Sequence, residues 1–367
     1  MALQFWTQDV RKHPDFDLHE TVLGADDDST GFRAYIALHN TTLGPARGGC
    51  RYWPSYANDF AAIGDVLKLS RGMTYKCALA GLPHGGGKTV IMGKPGTSKP
   101  SPETMLALGH MLNELNGIYE TGEDVGTSVE DFKVAGKVTD HVRVKAIEKA
   151  GAIDLPNGPP YYTAQGVYFG IKAAVKHRLK QSDLKGVRVA VKGLGHVAMP
   201  LCGLLHNEGA ILTVADIDPA KVKRAEELYG AKAVSPDDIL SQEADVYSPC
   251  ALGGDLSDEN IPKLKATIVA GAANNQLADI HQAQTLHRAG ILYAPDYCIN
   301  AGGVINVVLV GHTHEQVMAR TAGIGDTLAT IFRISETHDT NTALVAEAMV
   351  RERLAESKLP EKKALRA

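Results

Sequence analysis

The sequence is short of cysteine, of long apolar runs and of charge of any one sign. Its five cysteines, Cys50, Cys77, Cys202, Cys250 and Cys298, stand far apart and form no CxxC pair. That spacing excludes a zinc ribbon, and the odd count excludes a secreted disulfide framework, so a reducing, cytoplasmic setting is expected. Basic residues number 38 and acidic residues 42, for a net charge of −4. Such a balance supplies no general attraction to nucleic acid or to an anionic membrane. No stretch of about 18 apolar residues occurs, and the N-terminal MALQFWTQDVRKHPDFD lacks a signal-peptide core. The 14 histidines include no HxxxH or HExxH pair, so no metal site is expected. Small molecules and copies of the chain itself remain as partners.

Glycine is what the chain has in excess, with 37 in 367 residues. There is no collagen-like period, and proline adds only 17, which excludes fibrous and low-complexity readings. The length suits two domains, each with enough chain for a core. Residues 32–39 alternate as a strand does, and residues 58–70 place Phe60, Ile63 and Leu67 at helical spacing. Ser101 and Pro102 open a further helix with an apolar stripe from Met105 to Leu115, closed by Gly117. Residues 150–162, rich in Gly and Pro, read as a linker or hinge. Beyond it, strands at 188–192, 211–216, 266–271 and 291–297 alternate with helices, the pattern of a parallel sheet covered on both faces. The last 30 or so residues read as an amphipathic helix with Leu344, Met349 and Leu354 on one side.

Residues 193–198, GLGHVA, are the G-x-G-x-x-A form of a dinucleotide-binding turn, set directly between an apolar strand and a helix. The first glycine permits the tight turn, the second lets backbone approach a pyrophosphate, and the small third residue lets helix and strand pack closely. Asp216 follows Gly195 by 21 residues at the end of the next strand, placed to accept hydrogen bonds from ribose hydroxyls. The same carboxylate would repel a 2′-phosphate, which favours NAD over NADP.

The segment 81–89, GLPHGGGKT, ends like a phosphate-binding P-loop but puts Leu82 where the first glycine belongs, and a strand-like run follows it. Lys88, between glycines and that apolar run, reads instead as a partly buried amine. With Lys76 nearby, desolvation and a second cation would lower its pKa toward that of a general base. Glu123-Asp124, between Gly122 and Gly126, offers a carboxylate partner.

The chain resembles the glutamate/leucine/phenylalanine/valine amino-acid dehydrogenases, most closely the leucine and phenylalanine members. The matching segments are TTLGPARGGCR (41–51), GMTYKCALAGLPHGGGK (72–88), TGEDVGTSVEDF (121–132), TAQGVYFG (163–170), GLGHVA (193–198), CALGG (250–254), AGAANNQL (270–277) and APDYCINAGGVINV (294–307). The resemblance implies an α/β fold in which an N-terminal substrate and oligomerisation domain (1–148) and a Rossmann-type NAD-binding domain (149–339) flank a cleft, with the C-terminal helix (340–367) packing back on the first domain. It implies NAD-dependent, reversible oxidative deamination of an L-amino acid to a 2-oxo acid and ammonia by a homo-oligomer.

In that resemblance Lys88 is the catalytic lysine, Asp124 the carboxylate that shuttles protons with the amino group, and Lys76 the ligand of the substrate α-carboxylate. Arg47, Gly48, Gly49, Met73, Gly122, Asn275, Val304 and Val307 correspond to the remaining substrate positions. Thr163, Gly193, Leu194, Gly195, His196, Val197, Asp216, Ile217, Cys250, Ala251, Ala272, Asn275 and Asn300 correspond to the cofactor positions.

Side-chain specificity sends mixed signals. Arg47 stands where leucine-type enzymes are apolar and glutamate dehydrogenases carry lysine, yet Val307 stands where the latter place serine. Gly122 replaces an alanine and leaves room for an aromatic side chain, whereas Val304 is leucine-like. Either Arg47 points into the pocket, favouring a polar or acidic substrate, or it reaches solvent or a nearby acid, favouring an apolar branched one; the second is expected. A non-catalytic NAD-binding regulator would have no need of Lys76, Lys88 and Asp124 together.

Overall fold

A computed structural model describes residues 3–7, 9–151 and 158–357. They separate into two compact units, one drawn from Met1–Asp154 with Glu352–Ala367 and the other from Leu155–Arg351.

The first unit contains β1 (Gln4–Thr7), β2 (Thr21–Asp27), β3 (Phe32–Asn40), β4 (Ala46–Trp53), α1 (Asp59–Leu79), β5 (Gly85–Met92), α2 (Pro102–Asn113), β6 (Tyr119–Glu123), α3 (Val129–Ala135) and α4 (Arg143–Ala150). Its six strands form one mixed sheet in the order β1-β2-β3-β5-β4-β6. Neighbours from β1 to β5 are antiparallel, while β4 lies parallel to both β5 and β6. Parallel pairing requires crossover connections, and α1 and α2 provide them. Ile63, Val66 and Leu67 of α1 cover one face of the sheet together with Tyr35 and Val90. Met105, Leu108 and Leu112 of α2, with Phe132 of α3, cover the other against Leu23, Ile36 and Ile91. Val90 and Ile91, adjacent in β5, thus serve opposite cores, as strand alternation requires.

The expected strand at 32–39 is β3. The helix expected over 58–70 starts at Asp59, where the Asn58 side chain accepts from the Ala61 N–H, but continues to Leu79 because Tyr75, Cys77 and Ala78 keep one face buried. Helix α2 starts as expected, with Ser101 Oγ accepting from the Thr104 N–H, and ends at Asn113, so Gly117 (φ +81°) serves the turn beyond it.

The second unit contains α5 (Gly158–Leu179), β7 (Arg188–Lys192), α6 (Ala198–Asn207), β8 (Ile211–Ala215), α7 (Pro219–Tyr229), β9 (Lys232–Ala233), β10 (Val246–Pro249), β11 (Ile268–Val269), α8 (Gln282–Arg288), β12 (Leu292–Tyr293), α9 (Asp296–Ile299), α10 (Gly302–Val308), α11 (His314–His338) and α12 (Thr342–Glu356). Its sheet is parallel throughout, in the order β12-β11-β10-β7-β8-β9. The chain starts at the centre, winds outward to β9 and returns on the other side from β10, the doubly wound arrangement whose switch point lies between β7 and β10.

Strand β10, fully buried beside β7, was not among the expected strands, since four residues ending in proline carry no alternation. Of the expected linker, residues 152–157 lie outside the described ones. Residues 158–162 already form the first turn of α5, where prolines displace no intrahelical hydrogen bond. Helix α12 buries Ala343, Val345, Ala346 and Val350 rather than the stripe read from Leu344, which is 51% exposed. Its residues through Arg351 belong to the second unit, and those from Glu352 to the first; the tail at 358–367 lies outside the described residues. Among the described residues no helix is long and apolar enough to cross a membrane, and no three His, Cys, Asp or Glu side chains cluster as metal ligands.

Candidate active site

In the first unit, strand register assembles the site. Gly49 of β4 pairs with Gly122 of β6, and Arg47 lies between Gly86 of β5 and Glu120 of β6. Because side chains alternate, Arg47, Gly49 and Arg51 share the face that Gly86, Lys88 and Val90 present toward α1. Lys88 is 6% exposed, and its Nζ lies 2.8 Å from Asp124 Oδ2, just past the end of β6. An added Cβ at Gly49 would fall 2.8 Å from Asp124 Cβ and 3.3 Å from Lys88 Nζ, so a bare backbone there is what admits the pair. Gly48 packs on the Gly87 carbonyl.

Burial by itself would raise the Asp124 carboxyl, but Lys88 and then Arg51 outweigh it and hold it at about 2. Arg51 Nε lies 3.5 Å from Asp124 Oδ2, while its Nη1 bonds Asp65 of α1 at 2.9 Å. Neither Arg51 nor Asp65 was singled out from the sequence. The available signal was the period of two, which sets Arg51 on the same strand face as Gly49.

Met73 and Lys76, half-buried and one turn apart, stand in the C-terminal half of α1, whose backbone at Thr74 touches Gly86. The charges of both Lys76 and Arg47 act on the buried Cys77 thiol, which sets the two cations in one neighbourhood. Arg47 forms an ion pair with Glu120 on the adjacent strand. Gly122 faces the Arg143 side chain, whose Cβ would lie 3.3 Å from an added methyl.

In the second unit, Gly193 (φ +92°) follows β7 so closely against Ala251 that a Cβ would sit 2.8 Å from the Ala251 nitrogen. Above Gly195 a Cβ would meet nothing within 4 Å, and Gly195 and His196 are exposed while Ala198 is buried against the sheet. Asp216 is fixed by two backbone donors, Leu194 N–H to Oδ2 at 2.6 Å and Asp218 N–H to Oδ1 at 2.8 Å. Each oxygen keeps a lone pair for a further donor. Ile217 beside it is 92% exposed, and Val197 is half-buried.

Cys250, past the end of β10, accepts from the Ala272 N–H through Sγ at 3.5 Å. Asn300, 4% exposed, donates through Nδ2 to the Ala272 carbonyl and to Asn274 Oδ1. Its Oδ1 is buried with no partner. Asn275 is held in the left-handed region (φ +51°). Thr163 donates to the Pro159 carbonyl and lies against Gly303. Val304 and Val307, one turn apart on α10, stay half-buried while Ile305 and Asn306 between them enter the core. The lysine–aspartate pair and the dinucleotide turn thus lie one in each unit.

A doubly wound parallel sheet with this turn and with Asp216 at the end of the next strand fits a dinucleotide, and a lysine–carboxylate pair is of a chemistry able to move protons. Together they define a nucleotide-dependent oxidoreductase. Residues 17–141 match the family model "Glu/Leu/Phe/Val dehydrogenase, dimerisation domain", and residues 218–322 match "Glutamate/Leucine/Phenylalanine/Valine dehydrogenase". The chain is 46% identical over 338 residues to leucine dehydrogenase of Bacillus subtilis, covering 92% of this chain and 91% of the relative. It is 44% identical over 353 residues to L-tryptophan dehydrogenase of Nostoc punctiforme, covering 95% and 97%. The crystal structure of L-tryptophan dehydrogenase from Nostoc punctiforme superposes with a TM-score of 0.79 at 40% identity, covering 95% of this chain and 98% of that one. The chain belongs to the Glu/Leu/Phe/Val dehydrogenase family and is an amino-acid dehydrogenase, with NAD as the family's dinucleotide.

Proposed function

We propose that this enzyme catalyses the reversible oxidative deamination of an apolar L-amino acid of the leucine or valine type, with Lys88 and Asp124 moving the protons. The observation that carries the reading is the Lys88–Asp124 pair, its lysine buried on a bare-backbone strand and its half-buried carboxylate faced by a second cation. A non-catalytic NAD-binding regulator would have no use for it. Lys76 holds the substrate α-carboxylate, and Asp124 accepts a proton from the substrate ammonium group. NAD, when bound, supplies the acceptor for the hydride that leaves the α-carbon, which turns the amine into an imine. Lys88, as the neutral amine, takes a proton from the water that attacks the imine carbon; Asp124 then returns its proton to the nitrogen of the carbinolamine, whose C–N bond breaks as the hydroxyl proton leaves with the departing ammonia as ammonium and the C=O forms. Gly193, Gly195 and Asp216 hold the dinucleotide's pyrophosphate and ribose, with Asn300 Oδ1 receiving the carboxamide N–H.

One observation supports an apolar substrate: the Arg47 charge is already matched by Glu120, which leaves a substrate carboxylate without that partner. An aromatic substrate is the second reading, favoured by the likeness to tryptophan dehydrogenase; the space over Gly122 does not favour it, since the buried Arg143 side chain fills it. A panel of L-amino acids with NAD⁺, followed by absorbance of the reduced cofactor, tests both; absence of turnover with every member, in folded protein that binds NADH, rejects the reading. Arg47→Leu is expected to leave the ranking of amino acids unchanged within about threefold in kcat/KM. A swing from acidic or polar to apolar amino acids in that variant would place Arg47 in the pocket.

Asp216→Ser with Ile217→Arg is expected to lower kcat/KM for NAD⁺ about tenfold or more and to raise it for NADP⁺, since a carboxylate that repels a 2′-phosphate gives way to a cation that pairs with it. Unaltered NAD⁺ preference would show that Asp216 does not meet the ribose. The first unit, matched by a model described as a dimerisation domain, is proposed to join copies of the chain into a homo-oligomer, and five free cysteines suit the cytoplasm.

A further inference from the structure

The Lys88–Asp124 pair does not end at the carboxylate. On the far side of Asp124 the Arg51 guanidinium reaches from β4 with Nε at 3.5 Å from Oδ2, and its Nη1 grips both oxygens of Asp65 at 2.9 and 3.2 Å. Tyr56, in the turn that joins β4 to α1, donates its hydroxyl to the same Asp65 carboxylate. A chain of alternating charge thus runs from Tyr56 through Asp65, Arg51 and Asp124 to Lys88. It ties the turn, helix α1, strand β4, the loop after β6 and strand β5 to one carboxylate.

We propose that Arg51 is a positioning residue of the reaction: anchored by Asp65 and Tyr56, its guanidinium fixes the Asp124 carboxylate in reach of Lys88. This rests on the proposed proton-carrying role of Asp124. An exposed aspartate beside one lysine would swing between rotamers, and its partner would follow. Here Oδ2 faces two cations on separate strands, and the backbone N–H of Asp124 donates to Thr127 Oγ1 at 3.0 Å, so the residue is fixed at its backbone and its carboxylate at Oδ2. The planar guanidinium can hold two carboxylates at once, which one ammonium does poorly. Cys50 of β4 and Tyr119 of β6, which feel the Asp124 charge, are both fully buried and pushed up by that burial, so neither supplies a competing charge, and the adjacent Glu123 is paired with Arg143. Proton transfer depends steeply on donor–acceptor geometry, so loosening the carboxylate slows that step without altering how the α-carboxylate is bound.

Kinetics of Arg51→Gln and Arg51→Lys in the full chain, with the best amino acid of the panel, decide the matter. For Arg51→Gln the expected result is a fall in kcat of about 10- to 100-fold with KM for the amino acid within about threefold. The solvent deuterium isotope effect on kcat is expected to rise and the α-deuterium effect to shrink, because proton transfer has become the slow step. Arg51→Lys is expected to recover only part of the lost rate, because one ammonium keeps the charge beside Asp124 but cannot grip Asp65 at the same time. A folded Arg51→Gln enzyme with wild-type kcat, or one whose rate falls with both isotope effects unchanged, overturns the proposal. Should Arg51→Gln fail to fold, Asp65→Asn takes its place: it cuts the anchor and leaves the Arg51 charge, and a several-fold loss of kcat is expected with the same isotope pattern. Wild-type kcat in that variant overturns the proposal as well. The wild-type panel separates the outcomes, since a wild-type enzyme inactive on every amino acid refutes the proposed reaction itself, whereas active wild type with unaffected variants refutes only the role of Arg51.

Discussion

Lys88→Ala is expected to lower kcat for oxidative deamination by roughly 10³-fold, the middle of the range for losing a positioned acid–base group. Its affinity for NADH, measured by fluorescence titration, should stay within about threefold. The two readouts part because the lysine lies on β5 of the first unit, whereas the dinucleotide turn follows β7 in the second. Alanine removes the amine from a position only 6% exposed and leaves Asp124 with Arg51 as its remaining cation, so the carboxylate stays charged and the fold is retained. Turnover within about tenfold of wild type, in protein with the wild-type circular dichroism spectrum, would remove Lys88 from its assigned role.

Asp124→Asn is expected to have the second largest effect, with kcat down by 10²-fold or more and a measurable loss of stability. The substitution preserves shape and removes charge, so Lys88 and Arg51 are left facing a neutral amide in a poorly solvated place. The Asp124 carboxyl is lowered from 3.8 to about 2, a difference worth roughly 2 kcal/mol. A lowered carboxyl pKa stabilises above the unfolded value, so this contribution is present in full above about pH 4 and is lost as pH falls toward 2. The urea midpoints of wild type and Asp124→Asn should therefore differ at pH 7 and converge across that acid window. A constant difference at every pH would mean that the destabilisation comes from packing and not from charge.

The two units differed in how far the sequence revealed them. The dinucleotide unit was legible because its rules are local: the strand of residues 188–192, the turn at Gly193–Ala198 and Asp216 at the end of the next strand follow one another along the chain. Strand β10 escaped because its identity rests on pairing with β7, a contact between residues more than fifty apart. In the first unit the sequence supplied Lys88 and Asp124 as separate signals. What joins them is the parallel pairing of β4 with β5 and β6, which neither segment encodes alone. Arg47 shows the same limit, since its partner Glu120 comes from a strand that follows two helices later.

The sequence by itself determined the class of sheet in the second unit, the bare backbone at Gly49 and Gly193, and the presence of a lysine, a carboxylate and an acid at the end of the strand after the glycine turn. These follow from residue type and short spacing, where the physics acts over one turn or one strand. Tertiary structure alone decided that Lys88 is paired with Asp124, that Arg51 and Asp65 stand behind that carboxylate, and that Arg47 is neutralised by Glu120. An ion pair forms wherever strand register and burial bring two charges within about 4 Å, and no local pattern fixes that distance.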